Sequence, residues 1–243
     1  MKLIDDAIRQ GRTTLSEFES KQVLAFYRIP VTIEELVDNA EDLIKAAAII
    51  GYPVVMKGCS ADIAHKTEKG LAIIGYPVVM KGCSADIAHK TEKGLIRVDV
   101  RNDEEAASAY KEITAAMDGA DKAVLVQQMV KGQRELVVGL TRDPQFGPCV
   151  MFGLGGIFTE VLKDTAFRVA PLEKRDALEM MQEIKAHKIL DAVRGMAPAD
   201  KDMLAEILIT IGQIGIENEA IKEIDINPVI ISDGKPVAVD ALV

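Results

Sequence analysis

Apolar positions recur along this chain with two periods, and each change of period marks a change of predicted element. Leu15, Phe18, Val23 and Phe26 give an apolar helix face over 15–27, and Thr14-Leu15-Ser16-Glu17 has capping-box spacing at its start. Pro30 closes that segment and 31–37 reads as a strand. Asp38-Asn39-Ala40-Glu41 then opens a second capped helix that runs to about Ile50 and stops at Gly51. A short β-prone run from Tyr52 to Met56 ends on Lys57, a polar stretch without periodicity follows, and 95–100 resumes as a strand. Asn102 to Glu105 caps a helix to about Met117, after which 123–129, 134–140 and 148–153 read as successive strands. A turn then carries Gly153, Gly155 and Gly156, and strands are expected near 157–162 and 166–169. Helices near 174–194 and 198–217 and apolar strands around 221–231 and 236–240 complete a mixed α+β pattern. No Pro/Gly/Ser-rich linker separates modules.

The segment AIIGYPVVMKGCSADIAHKTEKGL occupies 48–71 and recurs letter for letter at 72–95. Solenoid repeats drift and come in threes or more, so a lone identical pair reads as a tandem insertion rather than an architecture. Removing either copy restores the same parent, so the letters alone do not name the inserted one. Packing favours an answer. The helix ending near Ile50 should pack on the strand that follows it directly, which makes 53–57 the native strand. The strand at 95–100 has its continuation only after the second copy. The extra residues are then expected to extrude within the loop, at little cost in closure entropy. Their apolar GLAIIGYPVVM stretch must find a partner strand, a neighbouring chain or aggregation.

At 243 residues the chain holds one large or two small domains, and 49% hydrophobic with 28% charged residues makes it globular. No apolar run reaches the roughly 20 residues of a membrane helix. The 29 basic and 38 acidic residues leave a net charge of −9, a poor match to a polyanion, so general nucleic-acid binding is not expected. Asp5 and Asp6 stand where a secretory leader carries its apolar stretch, and a cytoplasmic location is expected. Three cysteines without a CxxC pair or metal-spaced histidines point away from disulfides or structural zinc.

Several positions could carry chemistry. In Ile221-Lys-Glu-Ile-Asp-Ile-Asn-Pro228 the strand alternation puts Glu223, Asp225 and Asn227 on one face, about 7 Å apart. Hard oxygen donors in a row suit Mg²⁺, although a solvated polar face would look the same. Gly155 and Gly156 allow a turn that offers N–H groups to an anion, yet they fit neither phosphate-loop pattern and suit a plain hairpin equally. Lys57 and its copy Lys81 end PVVMK runs, where an ammonium could reach a phosphate or simply cap a strand at the surface; Arg168 has the same two readings. His65 and His89 lie in a polar loop, inert or able to carry a phosphoryl group on a neutral imidazole nitrogen. His187 reads as a surface residue of a helix.

Taken in order, VVMK, ADIAHKTEKG, GQRELVVGLTRDPQFGPCVMFGLGGIFTEVLKDTAFRVAPL and EIDINPV resemble the beta subunit, an ATP-grasp domain, of ADP-forming acetyl-CoA synthetases. Essentially the whole chain takes part. The resemblance implies an α+β ATP-grasp fold whose two lobes, taken as 1–122 and 123–243, grip ATP or ADP between them with Mg²⁺ at the phosphates. It implies the reaction acyl-CoA + ADP + phosphate ⇌ carboxylate + ATP + CoA, completed by a CoA-binding alpha subunit in a hetero-oligomer. Carried over by position, His65 or His89 is the phosphohistidine, and Lys57 or Lys81 contacts ATP phosphates. Gln127, Gln128 and Met129 form the adenine hinge. Gly155 and Gly156 line the phosphate site or the docking place of the alpha-subunit histidine. Asp225 and Asn227 hold Mg²⁺, and Glu160 and Arg168 fall in the catalytic stretch. Two other readings stand beside this one: a nucleotide-binding or assembly module that transfers nothing because of its duplicated loop, and a different ATP-grasp ligase that uses an acyl phosphate directly.

Overall fold

The computed structural model describes residues 1–59, 68–71, 81–84, 95–117, 122–156, 164–193 and 195–243. By contacts the chain divides into two compact units, Thr32–Val130 and a second made of Met1–Val31 with Lys131–Val243. This runs differently from a cut at 122/123, because the segment after 122 is a central strand of the first unit's sheet.

Two helices open the chain, α1 (Lys2–Arg9) and α2 (Glu17–Phe26). The first is absent from the sequence expectation; it buries Ile4 and Ala7. The cap of α2 is Ser16 rather than Thr14. The Ser16 Oγ accepts from the Glu19 N–H at 3.3 Å and the Glu19 carboxylate accepts the Ser16 N–H at 2.8 Å. Two overlapping S/T-x-x-E patterns compete here, and Arg12 decides between them by donating to both Glu19 oxygens at 2.8 Å.

Within Thr32–Val130 the elements are β1 (Glu34–Val37), α3 (Ala40–Ile50), β2 (Val54–Cys59), β3 (Glu68–Leu71), β4 (Lys81–Ser84), β5 (Ile96–Val100), α4 (Asp103–Ala116) and β6 (Ala123–Gln128). Asn39 and Asn102 cap the two helices by accepting the N–H of Asp42 and Glu105, and Gly51 ends α3 at φ +89°. The sheet order is β1-β6-β2-β5. Leu43, Ala47, Val54, Met56, Ile113 and Val126 fill the core between this sheet and the helices.

In this sheet Lys57 pairs with Ile96, and the Gly58 N–H donates to the Leu95 carbonyl at 2.8 Å. The first copy of the repeat thus supplies the sheet strand, and its partner is the strand beyond the second copy, as the helix-to-strand argument requires. The remaining strands of the repeat pair with each other: β3 from the first copy and β4 from the second form a separate ladder, Lys69 opposite Ser84 and Leu71 opposite Lys81. Each ladder joins a strand of one copy to residues at or beyond the end of the other: Lys57 pairs with Ile96, and Lys81 with Leu71.

The second unit continues with β7 (Arg134–Asp143), β8 (Gly147–Leu154), β9 (Thr165–Val169), α5 (Lys174–Glu183), a 3-10 turn (His187–Leu190), α6 (Lys201–Glu217), β10 (Glu223–Ser232), β11 (Lys235–Ala238) and β12 (Ala241–Leu242). The sheet runs β11-β10-β7-β8-β9, with β12 beside β10. Leu136, Val138, Leu140, Val150 and Phe152 form one apolar face that joins the helices' buried residues in a single core. The helix expected over 174–194 stops at Glu183 because the buried Asp164 carboxylate takes the N–H groups of Lys185 and Ala186 at 2.7 and 2.8 Å, turning the chain out of the helix. His187 is exposed on the 3-10 turn. The strand expected at 157–162 lies outside the described residues. No described helix is long and apolar enough to cross a membrane.

Candidate functional site

In the first unit, β2 and β6 place Val55 opposite Gln127 and Lys57 opposite Leu125. Side chains alternate along both strands, so Lys57, Leu125 and Gln127 share the sheet face turned away from the helices. Lys57 is only 8% exposed and Gln127 1%, so the reading of Lys57 as a surface cap does not hold. It stands within β2 rather than at its end, and a buried ammonium is held where an anion can compensate it. Glu34 of β1 lies opposite Gln127 on the same face.

Gln128 points the other way. Its Oε1 accepts from the Ile33 N–H at 3.4 Å, and its own N–H donates to the Ile33 carbonyl at 2.8 Å, so it ties the entry to β1. Met129 follows the end of β6, half-buried. Of the three hinge candidates, the strand register brings Gln127 to the face of Lys57. Lys81 opens β4, in the separate ladder. His65, His89 and Glu160 lie outside the described residues.

In the second unit, Asp225 of β10 sits opposite Gly139 of β7 and Leu242 of β12. Its neighbours Ile224 and Ile226 are in the core, so Asp225 occupies the other face of the sheet. Gly139 leaves room there: a Cβ would come within 3.0 Å of the Ile224 carbonyl oxygen and 3.2 Å of the Met151 methyl, a tight fit. A bulge between Ile226 and Val229 sets Asn227 and Pro228 against the single residue Val137. The bulge is fixed from β10's other side, where the Asn227 N–H donates to the Asp240 carbonyl at 3.2 Å and the Val239 N–H to the Pro228 carbonyl at 3.0 Å. One carboxylate and one amide oxygen, both half-buried, form a donor set that suits Mg²⁺, which leaves its other positions to phosphate and water. Glu223, expected beside them, is exposed and pairs with Thr141.

Gly155 gives its N–H to the Glu135 carbonyl at 2.8 Å, and a Cβ there would stand 2.8 Å from the Leu136 carbonyl oxygen. Its role is therefore close backbone approach between β8 and β7. Gly156 has φ +63°, a conformation that favours glycine. Arg168 lies opposite Val150 on the core-side face of β9 and pairs with Glu183 of α5 at 2.8 Å, away from the face of Asp225. Sequence reasoning missed Lys21, which is buried beside the strand segment that holds the bulge; the i, i+4 spacing of Glu17 and Lys21 was the available signal.

Comparison with known proteins bears on this geometry. Residues 6–73 and 71–243 match the ATP-grasp domain family, the two stretches meeting where the repeat copies join. The chain is 41% identical over 245 residues to the beta subunit of the ADP-forming acetate–CoA ligase I of Pyrococcus furiosus, covering 99% of this chain and 95% of that one. It is 42% identical to the ADP-forming acetate–CoA ligase I of Archaeoglobus fulgidus, where 98% of this chain matches only 32% of the longer protein. Among solved structures it is similar to acetyl-coenzyme A synthetase 1 of Ca. Korarchaeum cryptofilum, in complex with coenzyme A and Ca-AMPCP, at 38% identity and a TM-score of 0.85 over 99% of this chain and 97% of that one. A second structure of that synthetase holds coenzyme A and Mg-AMPPCP with its phosphohistidine segment pointing towards the nucleotide site; it matches at 39% identity and a TM-score of 0.78 over the same shares.

Proposed function

The chain belongs to the ATP-grasp domain family, and from that premise we propose that it is the nucleotide-binding beta subunit of an ADP-forming acyl-CoA synthetase. The observation that carries the reading is the pair of polar faces: a buried lysine beside a buried glutamine in one unit, and a carboxylate with a bulged amide in the other, within a chain 41% identical to such a subunit. In this reading the Lys57 ammonium binds the nucleotide's phosphates and the Gln127 amide orients the nucleotide on the same sheet face. Asp225 and Asn227 hold the divalent cation. Bound Mg²⁺ supplies charge neutralisation at the phosphates. His65 or His89 carries the phosphoryl group: an oxygen of the ADP β-phosphate attacks phosphorus, the P–N bond breaks with its electron pair going to nitrogen, and the imidazole, protonated on its other ring nitrogen, leaves as the neutral ring.

The acyl-CoA half of the reaction belongs to an alpha subunit. The Archaeoglobus relative, about three times the length it shares with this chain, supports such a division. A subunit acting on ADP, ATP and coenzyme A thioesters is read as cytoplasmic. A second reading, a module that binds nucleotide and transfers nothing, rests on one observation: β3 and β4 lie between the strands that flank the histidine loop.

Titration calorimetry with ATP, in Mg²⁺ and in chelator, tests the first step. One Mg²⁺-dependent site per chain is expected, and its absence in a folded, monodisperse sample containing the alpha subunit overturns the proposal. Acid-labile phosphate on the loop histidines separates the two readings.

A further inference from the structure

Lys21 is the most deeply buried charged side chain among the described residues, at 1% exposure, and the reaction above does not use it. Its Nζ lies 3.1 Å from a Glu17 carboxylate oxygen that is itself largely buried, and donates to the Val239 carbonyl at 3.1 Å. A buried ion pair is a weak source of stability, since desolvation offsets most of the attraction, so its placement calls for a second reason.

The hydrogen bonds beyond it supply one. Val239, whose carbonyl Lys21 holds, gives its N–H to the Pro228 carbonyl, and the next residue, Asp240, accepts the Asn227 N–H. Continuing along the chain, β12 pairs Leu242 with Asp225, while Val243 donates to Ser20 Oγ at 3.1 Å and accepts the Leu15 N–H at 2.9 Å. One helix, α2, thus grips the C-terminal segment at two consecutive residues, Ser20 and Lys21. That segment in turn is bonded to the Asp225–Pro228 stretch at each of its polar positions. The bulge leaves Asn227 and Pro228 out of the ladder with β7, so the aim of Asn227 depends on what braces it from the other edge.

We infer that Lys21 is a positioning residue for the divalent-cation site, acting through Val239 to hold the Asn227–Pro228 bulge in its ligating geometry. The inference rests on the reading of Asp225 and Asn227 as cation ligands. Glu17 pairs with the ammonium at 3.1 Å in its buried place, and Ser20 anchors the far end of the same segment.

The test is Mn²⁺ binding by the full chain with a non-hydrolysable ATP analogue, followed by the electron paramagnetic resonance of free Mn²⁺. Thermal unfolding in chelator is measured in parallel. The wild type should bind one Mn²⁺ per chain and Asp225→Ala should not; failure of either overturns the site reading itself. The double variant Glu17→Gln/Lys21→Met removes both charges at nearly constant volume. It should weaken Mn²⁺ binding roughly tenfold, the low end of what loss of an orienting partner does to a metal site, with the analogue's affinity in chelator unchanged. Wild-type Mn²⁺ affinity in this variant overturns the positioning role while leaving the site reading intact. Should the double variant fail to fold, Ser20→Ala replaces it: a twofold to threefold weakening supports the brace, and unchanged affinity overturns it.

Discussion

Arg12 donates to both oxygens of Glu19, and this holds the Glu19 carboxyl down to about 2, with the Ser16 N–H and hydroxyl adding to the effect against the opposing pull of burial. The folded value lies below that of an unfolded glutamate, near 4.3. The stabilisation is therefore complete above about pH 5 and is lost as pH falls from about 4 to about 2. Thermal unfolding should show a falling midpoint in that window, and Glu19→Gln should flatten the fall while costing about 1 kcal/mol at neutral pH. Gly155→Ala should cost more, about 2 kcal/mol by urea denaturation, because its Cβ would meet backbone that has nowhere to move. At this scale the face of Asp225 was legible, since period 2 fixes a strand's faces, whereas the bulge at Asn227 was not. The burial of Lys57 was not, because exposure depends on what covers a face. Nor was the commitment of the Gly155 N–H to Glu135, a residue twenty positions away in sequence.

Elements were legible where a cap marks them. Asn39, Asn102 and Gly51 end their helices through contacts within four residues, and α3 and α4 lie where the pattern puts them. The cap of α2 was displaced by two residues and α5 was cut short, each by a partner outside the local window, Arg12 and Asp164. The repeat belongs to this scale too. Because β2 already pairs with β5 and β6, and β3 with β4 stand in a ladder of their own, deleting 72–95 should leave the thermal midpoint within about 5 °C by calorimetry, a shift of about 1 kcal/mol. A midpoint lowered by more than about 10 °C would mean that the extra strands support the sheet.

For the whole molecule, phosphoryl transfer is the decisive property. With the alpha subunit present, the doubly substituted His65→Ala/His89→Ala chain should lose all acid-labile phosphate and at least about a thousandfold in ATP formation, while each single variant shows which copy is used. Lys57→Ala should weaken ATP binding about tenfold by calorimetry, the effect of removing one buried charged contact, with Lys81→Ala close to wild type. The sequence by itself determined the α+β class, the family, the repeat and the strand that carries Asp225 and Asn227, because each is written in local periods or in ordered motifs. Only the tertiary structure decided that the first repeat copy enters the sheet, that Gln127 rather than Gln128 shares the face of Lys57, that Arg168 turns to Glu183, and that Lys21 braces the bulge. Those outcomes depend on register and burial, which are set by pairings between residues far apart in the chain and leave no mark on the letters nearby.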